Sequence, residues 1–162
     1  MTHPSFTNTP LISPLPTVAR AAVNAGADLV NDVSGGAFDP DMLPTVAALR
    51  VPYCLMHMRG TPQTMTTLAR YSPDPVADVV AELRGRVAAA EAAGVLRWDL
   101  IADPGIGFAK DLGHNLALLR GLRRLREGLG RLPVLVGVSR KRFIGTVRVC
   151  WRSTWSIVLH PR

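Results

Sequence analysis

Residues 100–115 read LIADPGIGFAKDLGHN. An apolar run closes on one acidic residue, Asp103. Pro104, Gly105, Gly107 and Lys110 then lead into a new helical pattern. A buried strand finished by a carboxylate needs a reason, because an unpaired charge is costly to remove from water. In parallel α/β folds the carboxyl ends of the strands carry the ligand site. An acid at that end has something to bind, or a turn to hold.

The rest of the chain repeats the same arrangement. VARAAVNAGA (18–27) is a short helical pattern closed by Gly26, and DLVNDV (28–33) is an apolar run followed by the loop SGGAF. Asp39 and Pro40 are placed to open a helix over DPDMLPTVAALR (39–50). VPYCLMHM (51–58) is the next strand pattern, and the long loop RGTPQTMTTLARYSP follows it. An amphipathic helix runs from Asp74-Pro75 to Gly94, and a further one covers 114–130 before PVLVGV (133–138) and the loop SRKRFIG. Four strands are therefore expected, at about 28–33, 51–57, 99–103 and 133–138. Their near-continuous apolar character suits strands covered on both faces, and the alternation with helices implies right-handed βαβ crossovers. Loops after strands are long and polar, whereas those after helices are short, so polar residues collect at one end of the sheet.

Composition bounds the function classes. Of the 162 residues, 48% are hydrophobic and 19% charged, which is globular usage. No apolar run approaches the ~20 residues of a membrane span. The N-terminal MTHPSFTNTPLISPLPT lacks the charged start and long apolar centre of a secretory signal. Cys54 and Cys150 form no metal or disulfide spacing, and Cys54 reads as a small buried residue. The net charge of +7 is mostly arginine, concentrated in LLRGLRRLREGLGR (118–131) and the tail. Leucines at helical spacing between those arginines mark a solvated helix face, and no finger, RNP pattern or interleaved aromatics argue for nucleic acid.

Several residues at the strand ends are candidates for chemistry. Asp103 either caps the turn after its strand or accepts two N–H groups side by side from a guanidine-like or aminopyrimidine edge, and position alone leaves both open. Asn31 presents a donor and an acceptor from inside an apolar run, where a bare amide is costly. Asp32 points to the opposite side and reads as a structural hydrogen-bonder. Ser139, Arg140 and Lys141 follow a strand directly, which favours a ligand role over surface charge. His57 between Met56 and Met58 reads as a satisfied core residue, while Met56 suits the face of a flat aromatic ligand. GIGFAK fits neither a P-loop nor G-x-G-x-x-G, and its glycines read as permitting a tight turn.

Four motifs in order, VNDVSGG, CLMHMRGTPQTM, DPGIGFAKDLGHNLALL and GVSRKRFIG, resemble the dihydropteroate synthase family, from about Val18 to Thr146. The resemblance implies an eight-stranded (β/α) barrel, of which this chain is a partial copy: an α/β fold with about four βα units matching the fourth to seventh strands. It implies that a dihydropterin methyl diphosphate is joined to p-aminobenzoate with release of diphosphate, with magnesium. Asn31 and Asp103 would hold the aminopyrimidine edge of the pterin and Lys141 would contact its ring. Met56 and Phe108 would line the pocket, and Ser139 and Arg140 would help bind p-aminobenzoate.

Departures from the family pattern set further expectations. Nothing matches the family's first strand, whose asparagine serves magnesium and diphosphate, so the magnesium ligand segment is absent. The family's third strand finds at most Leu11-Ile12-Ser13, and the VRVCWRSTWSIVLHPR ending (147–162) lacks the last strand's spacing. The expected organisation is a loosely ordered segment 1–16, a partial pterin-binding barrel 17–146 and an atypical tail 147–162. Little turnover by this chain alone is expected, with self-association through exposed barrel edges. The partners are the two small-molecule substrates, with no nucleic acid and no membrane. The setting is intracellular, cytoplasmic or organellar such as mitochondrial. The other readings are a pterin-binding methyltransferase-type barrel and a non-catalytic interaction fragment.

Overall fold

The computed structural model describes residues 10–12, 14–61, 63–139, 141 and 143–145. The expected tail at 147–162 lies outside the described residues, as do residues 1–9 and 13 of the first segment.

Helices and strands alternate as the pattern requires. Strand β1 is Pro10–Ile12, helix α1 is Pro16–Asn24, β2 is Leu29–Asp32 and α2 is Met42–Leu49. β3 is Tyr53–Met56, α3 is Pro75–Ala92, and a 3-10 turn at Arg97–Asp99 leads into β4, Leu100–Asp103. Helices α4, Leu112–Arg120, and α5, Leu122–Gly128, complete the described elements. The strands form one parallel sheet in the order β1-β2-β3-β4. Each strand therefore lies beside its successor. Right-handed crossovers in that order place every connecting helix on the same side of the sheet.

The register fixes which residues share the rim. Asn31 pairs with Cys54, Asp32 with Leu55, and Met56 with Asp103. Val30, Tyr53, Cys54, Leu55, Leu100 and Ala102 are fully buried, which explains the continuous apolar runs. Against them α3 lays Val76, Val79, Leu83, Val87 and Ala90, all buried and spaced three or four residues apart on one helical face. Leu118 and Leu125 bring α4 and α5 into the same core. Asp74 opens α3 by accepting the Ala77 N–H at 3.1 Å. Among the described residues no helix is long and apolar enough to cross a membrane.

Three local expectations are corrected. The run 133–138 does not continue the sheet as a strand. It makes one bridge, Val134 beside Ala102, with Ala102 N–H donating to Pro133 O and Leu135 N–H to Ala102 O, both at 2.9 Å. Proline and glycine are poor ladder residues, and Pro133 and Gly137 bracket this run. The strand that does complete the sheet is β1, at the opposite edge from β4. The long helix expected over 114–130 is two helices, separated at Gly121, a weak helix former. Finally, α2 starts at Met42 and not beside Asp39, whose side chain instead accepts the Asp41 N–H at 2.9 Å.

Burial predicts the cost of truncation. Leu83→Ala, in the centre of the α3 contact, should lower unfolding free energy by ~2–5 kcal/mol in urea titrations. Trp98→Ala, at a side chain 77% exposed, should change it by less than ~0.5 kcal/mol.

Candidate functional site

The C-terminal ends of β2, β3 and β4 bring Asn31, Met56 and Asp103 to one rim. Two strand spacings and the two-residue offset in register put the outer two roughly 12 Å apart across β3. Asp103 is buried, and its Oδ1 accepts the Gly105 N–H at 2.7 Å, so the turn-capping role is real. That is the one hydrogen bond its side chain accepts among the described residues. Burial pushes the Asp103 carboxyl up, against the Gly105 amide and the positive charges of Lys141 and Lys110. Lys141 faces the same carboxylate; burial lowers its pKa and Asp103 opposes that shift. Its Nζ stands 4.0 Å from the centroid of the Phe108 ring. Asp103, Phe108 and Lys141 are thus brought together.

Asn31 supplies a second signal. Its Oδ1 is buried with no hydrogen-bond partner. Buried amide oxygens are nearly always paired, so an orphan at a strand end marks a place for an incoming donor. Cys54 is the partner of Asn31 in the sheet, and buried Met56 lies two residues further along β3. Ser139 is exposed in the turn after Val138, and Arg140 lies outside the described residues.

Asp32 behaves differently from Asp103. Its carboxylate accepts the Ser34 N–H and Ser34 hydroxyl, the Gly36 N–H and the Tyr53 hydroxyl, each at 2.7 Å. Both oxygens are used, and the residue holds the loop after β2. Burial, together with the Asp32 charge, pushes the Tyr53 hydroxyl well above its ordinary pKa.

Beneath the rim lies a polar group that sequence reading recovered only at His57. That side chain is fully buried and satisfied as a core residue should be. Its Nε2 is 3.0 Å from Glu82 of α3 and its Nδ1 is 2.9 Å from Lys110 Nζ. The ionised Glu82 carboxylate can only accept, so the proton of the neutral ring sits on Nε2 facing it and Nδ1 accepts from Lys110. Lys110 also donates to Phe108 O at 2.9 Å, tying the loop after β4 to the end of β3. Arg59 pairs with the same Glu82, Nε to Oε1 at 3.0 Å, and its guanidinium lies 4.0 Å from the Tyr71 ring centroid. Burial brings His57 down to about 4 and Lys110 down to about 7. The His57 hydrogen bond holds Glu82 below the usual carboxylate range. Glu82 and Arg86, four apart on α3, look in sequence like an ordinary surface ion pair; only the strand ends above them reveal their use.

Among the described residues, the magnesium implied by the resemblance finds no cluster of acidic or imidazole donors. Among the described residues no three His, Cys, Asp or Glu side chains gather where they could hold a metal ion. No step below runs through one.

An α/β protein with a heterocycle-sized rim of amide, acid and ammonium at its strand ends is the class defined so far. The sequence matches the pterin binding enzyme family over residues 13–160, and the chain belongs to that family. It is 48% identical over 132 residues to the folic acid synthesis protein of Pneumocystis carinii, covering 80% of this chain and 18% of that one. To the dihydropteroate synthase of Synechocystis it is 48% identical over 134 residues, covering 80% and 44%. The structure superposes on Xanthomonas albilineans dihydropteroate synthase in complex with 7,8-dihydropteroate with a TM-score of 0.76 at 44% identity, over 86% of this chain and 50% of that one. The α/β fold matches. The chain spans less than half the length of these curated relatives.

The buried His57 sets an acid dependence. An unfolded histidine takes up its proton near pH 6.5, but folded His57 does so only near 4. Between those values the unfolded chain binds the extra proton, so stability falls as pH falls. Lys110, lowered from 10.5 to about 7, acts in the same sense over its own window. From pH 7 to 5 the loss should be about 2 kcal/mol, or roughly 4–8 °C in melting midpoint. His57→Gln should melt lower at pH 7 yet lose clearly less on acidification, which a pH series of thermal melts will read.

Proposed function

We propose that this chain carries the pterin half of a dihydropteroate synthase site, on the folate biosynthesis route. The observation that carries the reading is the spare capacity of Asp103. A buried carboxylate with one bond made, beside an ammonium and an aromatic ring, suits a flat nitrogen-rich ligand. Its open lone pairs accept the adjacent N–H groups of an aminopyrimidine edge. The orphan Asn31 Oδ1 offers a further acceptor across β3. Lys141 donates to a ring carbonyl or nitrogen, and Met56 and Phe108 cover the faces of the ring. Ser139 and Arg140 take the p-aminobenzoate side. The homologues named above for this activity, one of them holding 7,8-dihydropteroate, support the same assignment.

In the reaction the amine nitrogen of p-aminobenzoate forms a bond to the methylene carbon on the pterin. The carbon–oxygen bond to diphosphate breaks, diphosphate departs with the electron pair, and the amine loses a proton. Positive charge grows on the pterin as the diphosphate leaves. A fixed carboxylate at the aminopyrimidine edge stabilises that charge without needing to reorganise. Asp103 is therefore an electrostatic and orienting group, with no proton of its own to transfer.

The architecture in this reading is part of a (β/α)8 barrel. β1 to β4 stand for the third to sixth strands and residues 133–138 for the seventh, because the strand order runs without reversal. The outer edges at β1 and at 133–138 have no strand partner among the described residues, and association of copies through them belongs to the reading. So does an intracellular setting, cytoplasmic or organellar.

The 162-residue chain should bind 7,8-dihydropteroate in calorimetric titration, and release little diphosphate when given both substrates. Asp103→Asn should weaken binding by about 10- to 100-fold, the range of a charged hydrogen bond. Lys141→Met should weaken it by about tenfold or more. Unchanged affinity in Asp103→Asn overturns the assignment. Pterin binding without sulfonamide competition would instead point to the methyltransferase-type barrel.

A further inference from the structure

Helix α3 contributes one more residue to this rim, and it meets the strand ends through their backbone carbonyls alone. The Arg86 guanidinium reaches up from the helix to three backbone carbonyls. Nη1 donates to Ser34 O at 2.9 Å and to Met56 O, and Nη2 donates to Met58 O. Ser34 belongs to the loop after β2, whereas Met56 and Met58 are the end of β3 and the start of its loop. Two segments that would otherwise meet only through the sheet are thus bound to one planar cation.

The backbone is shaped around that cation. Gly35 has φ +60°, and a Cβ there would stand 2.8 Å from Arg86 Nη1 and 2.8 Å from Met56 O. Any side chain at 35 would displace the guanidinium. Three diverging acceptors also require a fork of donors, which guanidinium supplies and ammonium, as a point donor on a flexible stem, does not. Each loop follows a strand end that carries a candidate ligand group: Asn31 lies three residues before Ser34, and Met56 is itself one of the acceptors.

We propose that Arg86 is a positioning residue of the ring site, locking the loops after β2 and β3 into one unit so that Asn31 and Met56 keep a fixed separation. The ligand half of this statement rests on the proposed function; the coupling of the two loops does not. Asp32 already holds the first loop from inside, through Ser34 and Gly36. His57 N–H holds the second through Asp103 O at 2.8 Å. Arg86 is what joins these two anchored segments.

The test uses Arg86→Lys in the full chain, with Arg123→Lys, at an exposed side chain, as control. Amide hydrogen exchange is followed without ligand at Gly35, Gly36 and Ala37 on one loop and at His57 on the other. Arg86→Lys should speed exchange at both sites together by about tenfold or more and weaken 7,8-dihydropteroate binding at least as much. Its melting midpoint should stay within a few degrees of the control. In Arg86→Ala, millimolar guanidinium should restore affinity and ethylammonium should not. Unchanged exchange, loosening of only one loop, or affinity lost only in step with stability overturns the proposal. Failure of the unmutated chain to bind 7,8-dihydropteroate overturns the functional reading and the ligand half of this one. The exchange result decides the coupling by itself.

Discussion

The structure depends on one constraint: where parallel strands end together under long loops, the backbone polar groups at the rim must be satisfied largely without water. An unpaired buried N–H or C=O costs as much as a lost hydrogen bond. Here side chains meet that demand. Asp32 takes the amides of Ser34 and Gly36, Asp103 takes that of Gly105, and Arg86 takes three carbonyls. The loop after β4 comes so close to β3 that a Cβ at Gly105 would lie 1.9 Å from His57 O. Only glycine, which also holds φ +65° there, permits that crossing. The crossing in turn carries Phe108 and Lys110 over the rim.

Such a rim has to be polar and buried at once, and that explains the ionic group under it. Glu82, His57 and Lys110 run carboxylate, imidazole, ammonium from α3 through β3 to the loop after β4. Each neighbour satisfies the next, so none is an uncompensated buried charge. His57 stays neutral because burial outweighs the carboxylate beside it. Its two nitrogens then serve opposite purposes, one donating to Glu82 and one accepting from Lys110. An apolar side chain at 57 would leave Glu82 with Arg59 alone and Lys110 with Phe108 O alone.

Much of the fold was legible because it rests on periodicity. The apolar runs that became β2, β3 and β4, and the long amphipathic helix α3, follow from local pattern. What the pattern could not supply was pairing. Leu11-Ile12 reads weakly by itself but pairs with Val30-Asn31, whereas the far more apolar 133–138 keeps one bridge because Pro133 and Gly137 interrupt its ladder. At the site, Asp103, Phe108 and Lys141 were found because family-like motifs mark them. Glu82 and Arg86 were not, because helix surfaces routinely carry such residues, and Lys110 was not, because a lone lysine in a loop reads as solvated charge. Their role exists only once strand ends from 25 or more residues away sit above them.

Two carboxylates at the strand ends differ in how much of their bonding the protein itself completes. Asp32 and Asp103 each end a strand, each is buried, and each precedes a glycine-containing turn. In sequence only strand alternation separates them, and it turns Asp32 to the other side. Asp32 spends both oxygens on four protein donors, one of them the hydroxyl of fully buried Tyr53, and has nothing left to offer a ligand. Asp103 meets a single amide, and the ammonium near it is held over Phe108. The fold leaves that acid with acceptor capacity that no described residue fills. An amide oxygen in the same condition waits two strands away. A flat ring with donors along one edge satisfies both shortages together, which neither a solvated surface nor a purely structural turn would do.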